Sequence, residues 1–195
     1  MKGVPPLLVR RVLLAPFVVL LCLVLTLLSP LVLVATLIVD ALWRGGLGLT
    51  RLAAFAVVYL AAEAVMILAL LLLWIASGFG AFRLASAHYA LLRGWLRVIS
   101  TAAISLLGLR IEIVDPPEPR PGPLLVFGRH AGAGNSLMMI RTLMVRFRRR
   151  PRVVMLAFIQ WDPVIDVVAH RLGMSSLDRV ADLIRWDWRT EDPGP

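Results

Sequence analysis

Residues 12–39 read VLLAPFVVLLCLVLTLLSPLVLVATLIV, a run of 28 residues without a charged side chain. At 1.5 Å rise per residue a straight helix of this length reaches about 42 Å, whereas the hydrocarbon core of a bilayer is roughly 30 Å thick. One membrane crossing therefore fits with length to spare. Tilt, a kink at Ser29-Pro30 or a hairpin within one leaflet would each absorb the surplus, and hydropathy does not separate these alternatives.

A second apolar run, from Leu52 to Ile75, is also long enough to cross a membrane. As a helix it measures about 36 Å, and Glu63 is its one charged residue. Hydrophobic residues make up 59% of the chain and the mean hydropathy is +0.84, above the usual range of soluble domains. We therefore predict an integral membrane protein that is anchored through residues 1–81. The first run is too long for a signal-peptide core of about 7–15 residues, so no cleaved signal peptide is expected.

The chain is basic, with a formal net charge of +9 at pH 7. Because its arginines flank apolar segments, anionic membrane lipid is a better partner for them than nucleic acid. The run Arg146–Arg152 also lacks the alternating aromatic residues of a base-stacking surface, so no nucleic acid is expected. The positive-inside rule predicts that residues from Arg83 onward are cytoplasmic. The single cysteine, Cys22, lies within the first apolar run, which excludes a metal site built from cysteines.

Residues 82–108 predict an amphipathic helix that lies in the membrane interface. Polar residues recur there at helical spacing among apolar ones. These residues are Arg83, His88, Arg93 and Arg97.

Residues 109–195 predict a partial α/β domain, so the predicted fold class is α/β, with N-terminal membrane helices before the domain. Short or alternating apolar runs favour strands at three places. They are Leu109–Val114, Leu124–Gly128 and Val153–Ala157. Helices are predicted over about 135–148 and over 162–172, where Asp162 supplies a cap and Pro163 a first-turn proline.

The loop Gly128-Arg-His-Ala-Gly-Ala-Gly-Asn-Ser136 places His130 between a predicted strand and the start of a predicted helix. Helix N-termini attract anions, and loops in such positions carry catalytic groups. A lone histidine is more often structural, so this feature alone leaves both interpretations open. The loop completes neither the G-x-G-x-x-G nor the P-loop pattern, which argues against a nucleotide site.

Three stretches carry a resemblance to a known family: His130-Ala-Gly-Ala-Gly-Asn135, Gln160-Trp-Asp-Pro163 and Gly173-Met-Ser-Ser-Leu-Asp-Arg179. Together with the apolar N-terminal helices they resemble the glycerolipid acyltransferases, a family that includes 1-acylglycerol-3-phosphate acyltransferase. The signature of that family is a histidine, four residues and an aspartate. The resemblance covers residues 82–179 and identifies the chain as an incomplete member. It is to bacterial members of the family, which implies the plasma membrane of a bacterium.

The resemblance implies transfer of a fatty acyl group to the hydroxyl of a lysophospholipid such as lysophosphatidate, in phospholipid biosynthesis. The acyl donor would be acyl-CoA or acyl carrier protein, with no further cofactor and no metal. His130 would be the general base and Asn135 would orient its imidazole. Arg129, Gly173 and Arg179 would bind the substrate, the two arginines through its phosphate.

The chain departs from the family pattern in two ways. Asn135 stands where the family has aspartate, so it keeps a hydrogen-bond acceptor but adds no charge to stabilise an imidazolium. It is also a good helix N-cap. The later family blocks, Glu-Gly-Thr-Arg and a proline-containing one, do not follow Arg179. The alternative is therefore a non-catalytic membrane pseudoenzyme or a truncated form.

Two further groups of polar residues have weaker signals. Asp162, Asp166 and His170 fall on one helical face and would suit a metal, but a helix cap plus an Asp166–His170 surface pair is the simpler interpretation. For Glu63 four interpretations stay open: a relay, a packing contact, a neutral side chain, or a pair with a neighbouring helix.

Overall fold

The computed structural model describes residues 5–43, 46–78, 84–112, 122–128, 133–155, 157–172 and 174–176, which are mainly helical. In chain order the α-helices are α1 (Leu7–Leu27), α2 (Ser29–Trp43), α3 (Gly48–Ala76), α4 (Ala85–Leu107), α5 (Ala133–Arg141) and α6 (Pro163–Arg171). Shorter helical turns are the π-helical segments Arg10–Leu14, within α1, and Thr142–Arg146, after α5, and the 3₁₀ helix Ala157–Trp161.

The first apolar run forms two helices, α1 and α2, that join at Leu28. The Leu28 amide donates to the carbonyl of Val24 at 2.9 Å, and its own carbonyl accepts from Val32 at 3.3 Å, so helical bonding continues through the junction. Pro30 has no amide hydrogen to donate, which weakens the helix at this point. Both α1 and α2 pack against α3. The limbs of a hairpin would pack mainly against each other instead, so the structure argues against the hairpin. The helix is interrupted at Leu28, directly before Ser29-Pro30.

Helix α3 contains the second apolar run and extends beyond it at both ends. Asp40 of α2 caps its start by accepting a hydrogen bond from the Thr50 amide at 2.8 Å. Among the described residues, α1, α3 and α4 are long and apolar enough to cross a membrane. The outer faces of α1 and α3 expose large apolar side chains such as Leu27 (80%) and Leu72 (66%). The prediction of a membrane protein is confirmed.

Helix α4 occupies most of the segment predicted as an amphipathic helix, residues 82–108. Trp95 is buried and belongs to the core that α4 shares with α3, whereas Arg97 is exposed, so the helix has a polar and an apolar side. His88, one of the four residues that set the predicted pattern, is instead buried, with Nδ1 3.0 Å from the carbonyl oxygen of Leu84. The interfacial position of this helix stays a prediction.

The main apolar core lies between α3, α4 and the residues that follow α4. Helix α3 contributes Met66 and Leu70, α4 contributes Leu92, and the later segments contribute Met144 and Val164. All five side chains are buried. The C-terminal segments therefore cover the half of the helix pair where α3 ends and α4 begins.

The predicted α/β fold class is wrong. Two of the predicted strands are not formed: residues 109–112, the described part of Leu109–Val114, and Leu124–Gly128 have no regular secondary structure, and Phe127 is 88% exposed. Among the described residues, strand is confined to Val154–Met155 (β1), which pairs in parallel with Ser175–Ser176 (β2). An alternating pattern forms a strand only when neighbouring strands take its hydrogen bonds and cover its apolar face. Here the apolar surface available for packing belongs to α3 and α4.

The two helices predicted after residue 128 are confirmed. Helix α5 begins at Ala133, earlier than predicted, and continues through the π-helical turn to Arg146. Helix α6 begins at Pro163 as predicted. The Asp162 carboxylate caps it by accepting a hydrogen bond from the Ile165 amide at 3.0 Å.

Candidate functional site

The sequence predicts a site built from Arg129, His130, Asn135, Gly173 and Arg179. Asn135 lies within the described residues, and the other four lie outside them. Asn135 is exposed at the third position of α5, inside its first turn. The interpretation of Asn135 as the N-cap of this helix is therefore wrong, and its amide is open to a group outside the helix.

The segments on both sides of the His130 loop pack against each other. A Cβ atom at Gly128 would lie 2.6 Å from Sδ of Met139, so the backbone at Gly128 runs close to the flexible end of a side chain of α5. Leu137 and Ile140 of α5 in turn pack against the core formed with α3 and α4. The chain thus enters and leaves residues 129–132 beside a helix that is seated on the membrane helices.

A basic strip, defined here as Arg146, Arg148, Arg150 and Arg152, follows α5. All four side chains are exposed, whereas the residues between them are half-buried. Arg150 lies over the ring of Tyr89, 5.6 Å from its centroid, and the Tyr89 hydroxyl donates to the carbonyl of Pro151 at 3.3 Å. These contacts attach the strip to the first turns of α4 and present its arginines to the outside.

A buried ion pair joins the N-terminal helix to α6. Nη1 of Arg10 donates to Oδ1 of Asp166 at 2.5 Å and to Oε1 of Gln160 at 2.9 Å. Arg10 and Asp166 are 8% and 5% exposed. Burial raises the pKa of Asp166 above its ordinary value, while the positive charges of Arg10, Arg11 and His170 oppose that rise.

Two more arginines surround this pair. Nε of Arg11 lies 3.9 Å from Oδ2 of Asp166. Arg171, at the end of α6, is buried and lies over the ring of Trp74, 5.9 Å from its centroid. Burial lowers the pKa of Arg171, and the like charge of Arg11 lowers it further. We call Arg10, Arg11 and Arg171 the arginine cluster.

Glu63 is buried near the middle of α3, facing the start of α6. It lies close to the side chain of Asp162 and the backbone of Val164. Within the described part of the chain, neither of its carboxyl oxygens reaches full hydrogen-bond geometry with a partner. Glu63 therefore faces a neighbouring helix, as predicted, and its role as a relay stays a prediction.

The residues predicted as a metal set or a surface pair have other contacts. Asp162 caps α6, as predicted. Asp166 is buried against Arg10 and is therefore not a surface residue, although the charge of His170 still acts on it. No group of three or more potential metal ligands occurs among the residues that the structure describes.

No protein family, curated protein or solved structure matches this chain. Inferences about its function therefore rest on the arrangement of its own residues. The basic strip contacts the first turns of α4 and Arg171 contacts the end of α3, so both groups of arginines lie at the same end of this helix pair.

Sequence reasoning missed the arginine cluster. Arg10 and Asp166 are separated by 156 positions, and no local pattern connects them. The available signal was an arginine pair directly before the apolar run and an aspartate on the apolar side of α6.

Proposed function

We propose that this protein is a membrane-bound O-acyltransferase that moves a fatty acyl group from acyl-CoA or acyl carrier protein to a lysophospholipid such as lysophosphatidate. The observation that carries the proposal is the contact of Gly128 with Met139. It brings Gly128, the residue before the stretch that contains His130, against a helix that packs on the membrane helices. The His130-x4-Asn135 stretch, which resembles the family signature, supplies the chemistry.

In the proposed reaction His130 removes the proton from the acceptor hydroxyl, and the hydroxyl oxygen attacks the thioester carbonyl. The carbon–sulfur bond then breaks, and the thiolate takes the proton from the imidazolium. Asn135 accepts a hydrogen bond from the imidazole and fixes its tautomer, without the charge that an aspartate would add. Arg129 and Arg179 hold the acceptor phosphate with bidentate donors, and Gly173 lines the same site.

The basic strip is the proposed contact for the phosphates of the acyl donor or of lipid headgroups. Its four exposed arginines lie after α5, at the end of the bundle that holds the start of α4. In the proposed setting this end faces the cytoplasm of a bacterium, where acyl-CoA and acyl carrier protein are found.

The test is acyl transfer from labelled acyl-CoA to lysophosphatidate in membranes that contain the chain. We expect turnover above empty membranes, its loss in His130→Ala and a gain in Asn135→Asp. His170→Ala is the matched control, because His170 is an exposed histidine on α6, and this variant should keep the activity. Equal background in all samples would refute catalysis.

A second candidate function is a non-catalytic lipid-binding membrane protein of the same origin. The replacement of the family aspartate by Asn135 favours it, because an uncharged partner supports a base poorly. Binding of lysophosphatidate that is unchanged in His130→Ala, together with background turnover, would establish this alternative.

A further inference from the structure

The arginine cluster places more positive charge than Asp166 balances. Arg10 and Arg11 share that one carboxylate, at 2.5 and 3.9 Å, so two guanidinium charges face one negative charge. Arg171 stands close enough for its charge to interact with that of Arg11. Like charges at partly buried positions repel strongly, because the surroundings screen them less than water does.

Donor groups in the cluster lack acceptors. Nε of Arg10 and both Nε and Nη2 of Arg11 are buried without a hydrogen-bond partner in the part of the chain that the structure describes. A buried guanidinium donor without an acceptor is costly, so such groups are usually paired. An anion with several oxygens would satisfy these donors and offset the repulsion at the same time.

The surroundings of the cluster suit a lipid rather than a free ion. Leu8 and Val12 lie on either side of Arg11 along α1 and are 73% and 63% exposed. Trp74, a residue type that prefers the membrane interface, lies against Arg171 at the end of α3. A phosphate at the arginines would therefore have an apolar helix face beside it for an acyl chain.

We propose that Arg10, Arg11 and Arg171 form a binding site for the phosphate group of an anionic membrane lipid, which bridges the start of α1 and the end of α6. The site uses none of the residues of the His130 loop or of the basic strip, and it holds whether or not the chain catalyses acyl transfer. Its ligand stabilises the docking of α6 on the membrane helices.

The test uses the full chain in detergent micelles and measures its melting temperature with phosphatidate, phosphatidylcholine or inorganic phosphate. We expect phosphatidate to raise the melting temperature and phosphatidylcholine to leave it unchanged. The variant Arg11→Gln should bind phosphatidate about tenfold more weakly, as expected for the loss of one charged hydrogen-bonding group. Arg11→Lys, which keeps the charge, should recover part of the affinity.

Arg51→Gln is the matched control, because Arg51 is an exposed arginine in the first turns of α3, at the other end of that helix. It removes the same charge and should keep the affinity of the unmodified chain. Equal affinities of Arg11→Gln and Arg51→Gln, or equal effects of phosphatidate and phosphatidylcholine, would overturn the site. Protection by inorganic phosphate as strong as by phosphatidate would overturn the lipid as its ligand.

Discussion

Asp40 caps the helix that follows it across a tight connection. Its Oδ2 accepts hydrogen bonds from the amide and the hydroxyl of Thr50 at 2.8 and 2.7 Å, and its Oδ1 accepts from the Leu49 amide at 3.3 Å. Two of the amides that a helix start leaves without partners are thereby satisfied. We expect Asp40→Ala to lower the melting temperature in detergent micelles and Asp40→Asn, which keeps an acceptor, to lower it less. Equal losses in the two variants would argue against the cap.

The ion pair between Arg10 and Asp166 should dominate the docking of α6. Removing either partner leaves a buried charge without its counter-ion, which costs about 3 kcal/mol or more. We therefore expect Arg10→Ala to lower the free energy of unfolding by that amount, while Arg10→Met combined with Asp166→Leu recovers most of it. Chemical denaturation in micelles measures both. The exposed Arg97→Ala is the control, expected to change stability by about 0.5 kcal/mol at most.

The stability of the folded chain should depend on pH through the protonation of Asp166. Burial raises its pKa in the folded state, with Arg10 as the largest opposing influence. The folded chain therefore binds the proton of the Asp166 carboxyl more tightly than the unfolded chain does. The resulting stabilisation of the folded state is complete below the pKa of the unfolded chain, about 3.9. It is lost as the pH rises through the higher pKa of the folded chain. We expect the melting temperature of the unmodified chain minus that of Asp166→Asn to be larger at pH 4 than at pH 7. A difference that grows with pH would contradict the raised pKa.

The close approach of Gly128 to Met139 predicts that substitutions at these two positions have non-additive effects on the free energy of unfolding. A methyl group at position 128 meets the flexible end of the Met139 side chain at 2.6 Å, so that side chain has to move. Gly128→Ala should cost about 1 kcal/mol, at the low end for overpacking. The same substitution should cost markedly less in a Met139→Ala background, because the clash is gone. Additive losses in a double-mutant cycle would show that the two positions do not touch.

The sequence predicts best what its residues determine locally. The apolar runs of α1 to α3 define helices by their length, and Asp162 with Pro163 defines the start of α6 through one short hydrogen bond. Strands depend on distant partners. Leu124–Gly128 has an apolar composition that suits a strand, yet it has no strand partner in the structure, and the only described ladder joins β1 to β2.

In the candidate site, too, the sequence predicts local features but not contacts between distant residues. The position of Asn135 near the start of α5 follows from the local pattern, within two residues. The meeting of Arg10 with Asp166 does not, because it depends on how α6 packs into the groove beside α3. A buried arginine next to an apolar run signals a distant counter-ion, but the sequence contains 12 acidic residues from which to choose.

The ion pair between Arg10 and Asp166 also limits how many times the chain between them can cross the membrane. Two residues that touch lie at the same face of the bilayer, so the chain between them crosses an even number of times. Because Arg171 lies over Trp74, the end of α3 belongs to that face too. If α1–α2 crosses the membrane once and α3 returns, α4 cannot serve as a lone third crossing despite its length. Single cysteines at Leu8 and Arg152, in a Cys22→Ser background, should react with an impermeant reagent from one and the same side of sealed vesicles. On this topology, the start of α1 and the end of α6 would meet the same aqueous compartment.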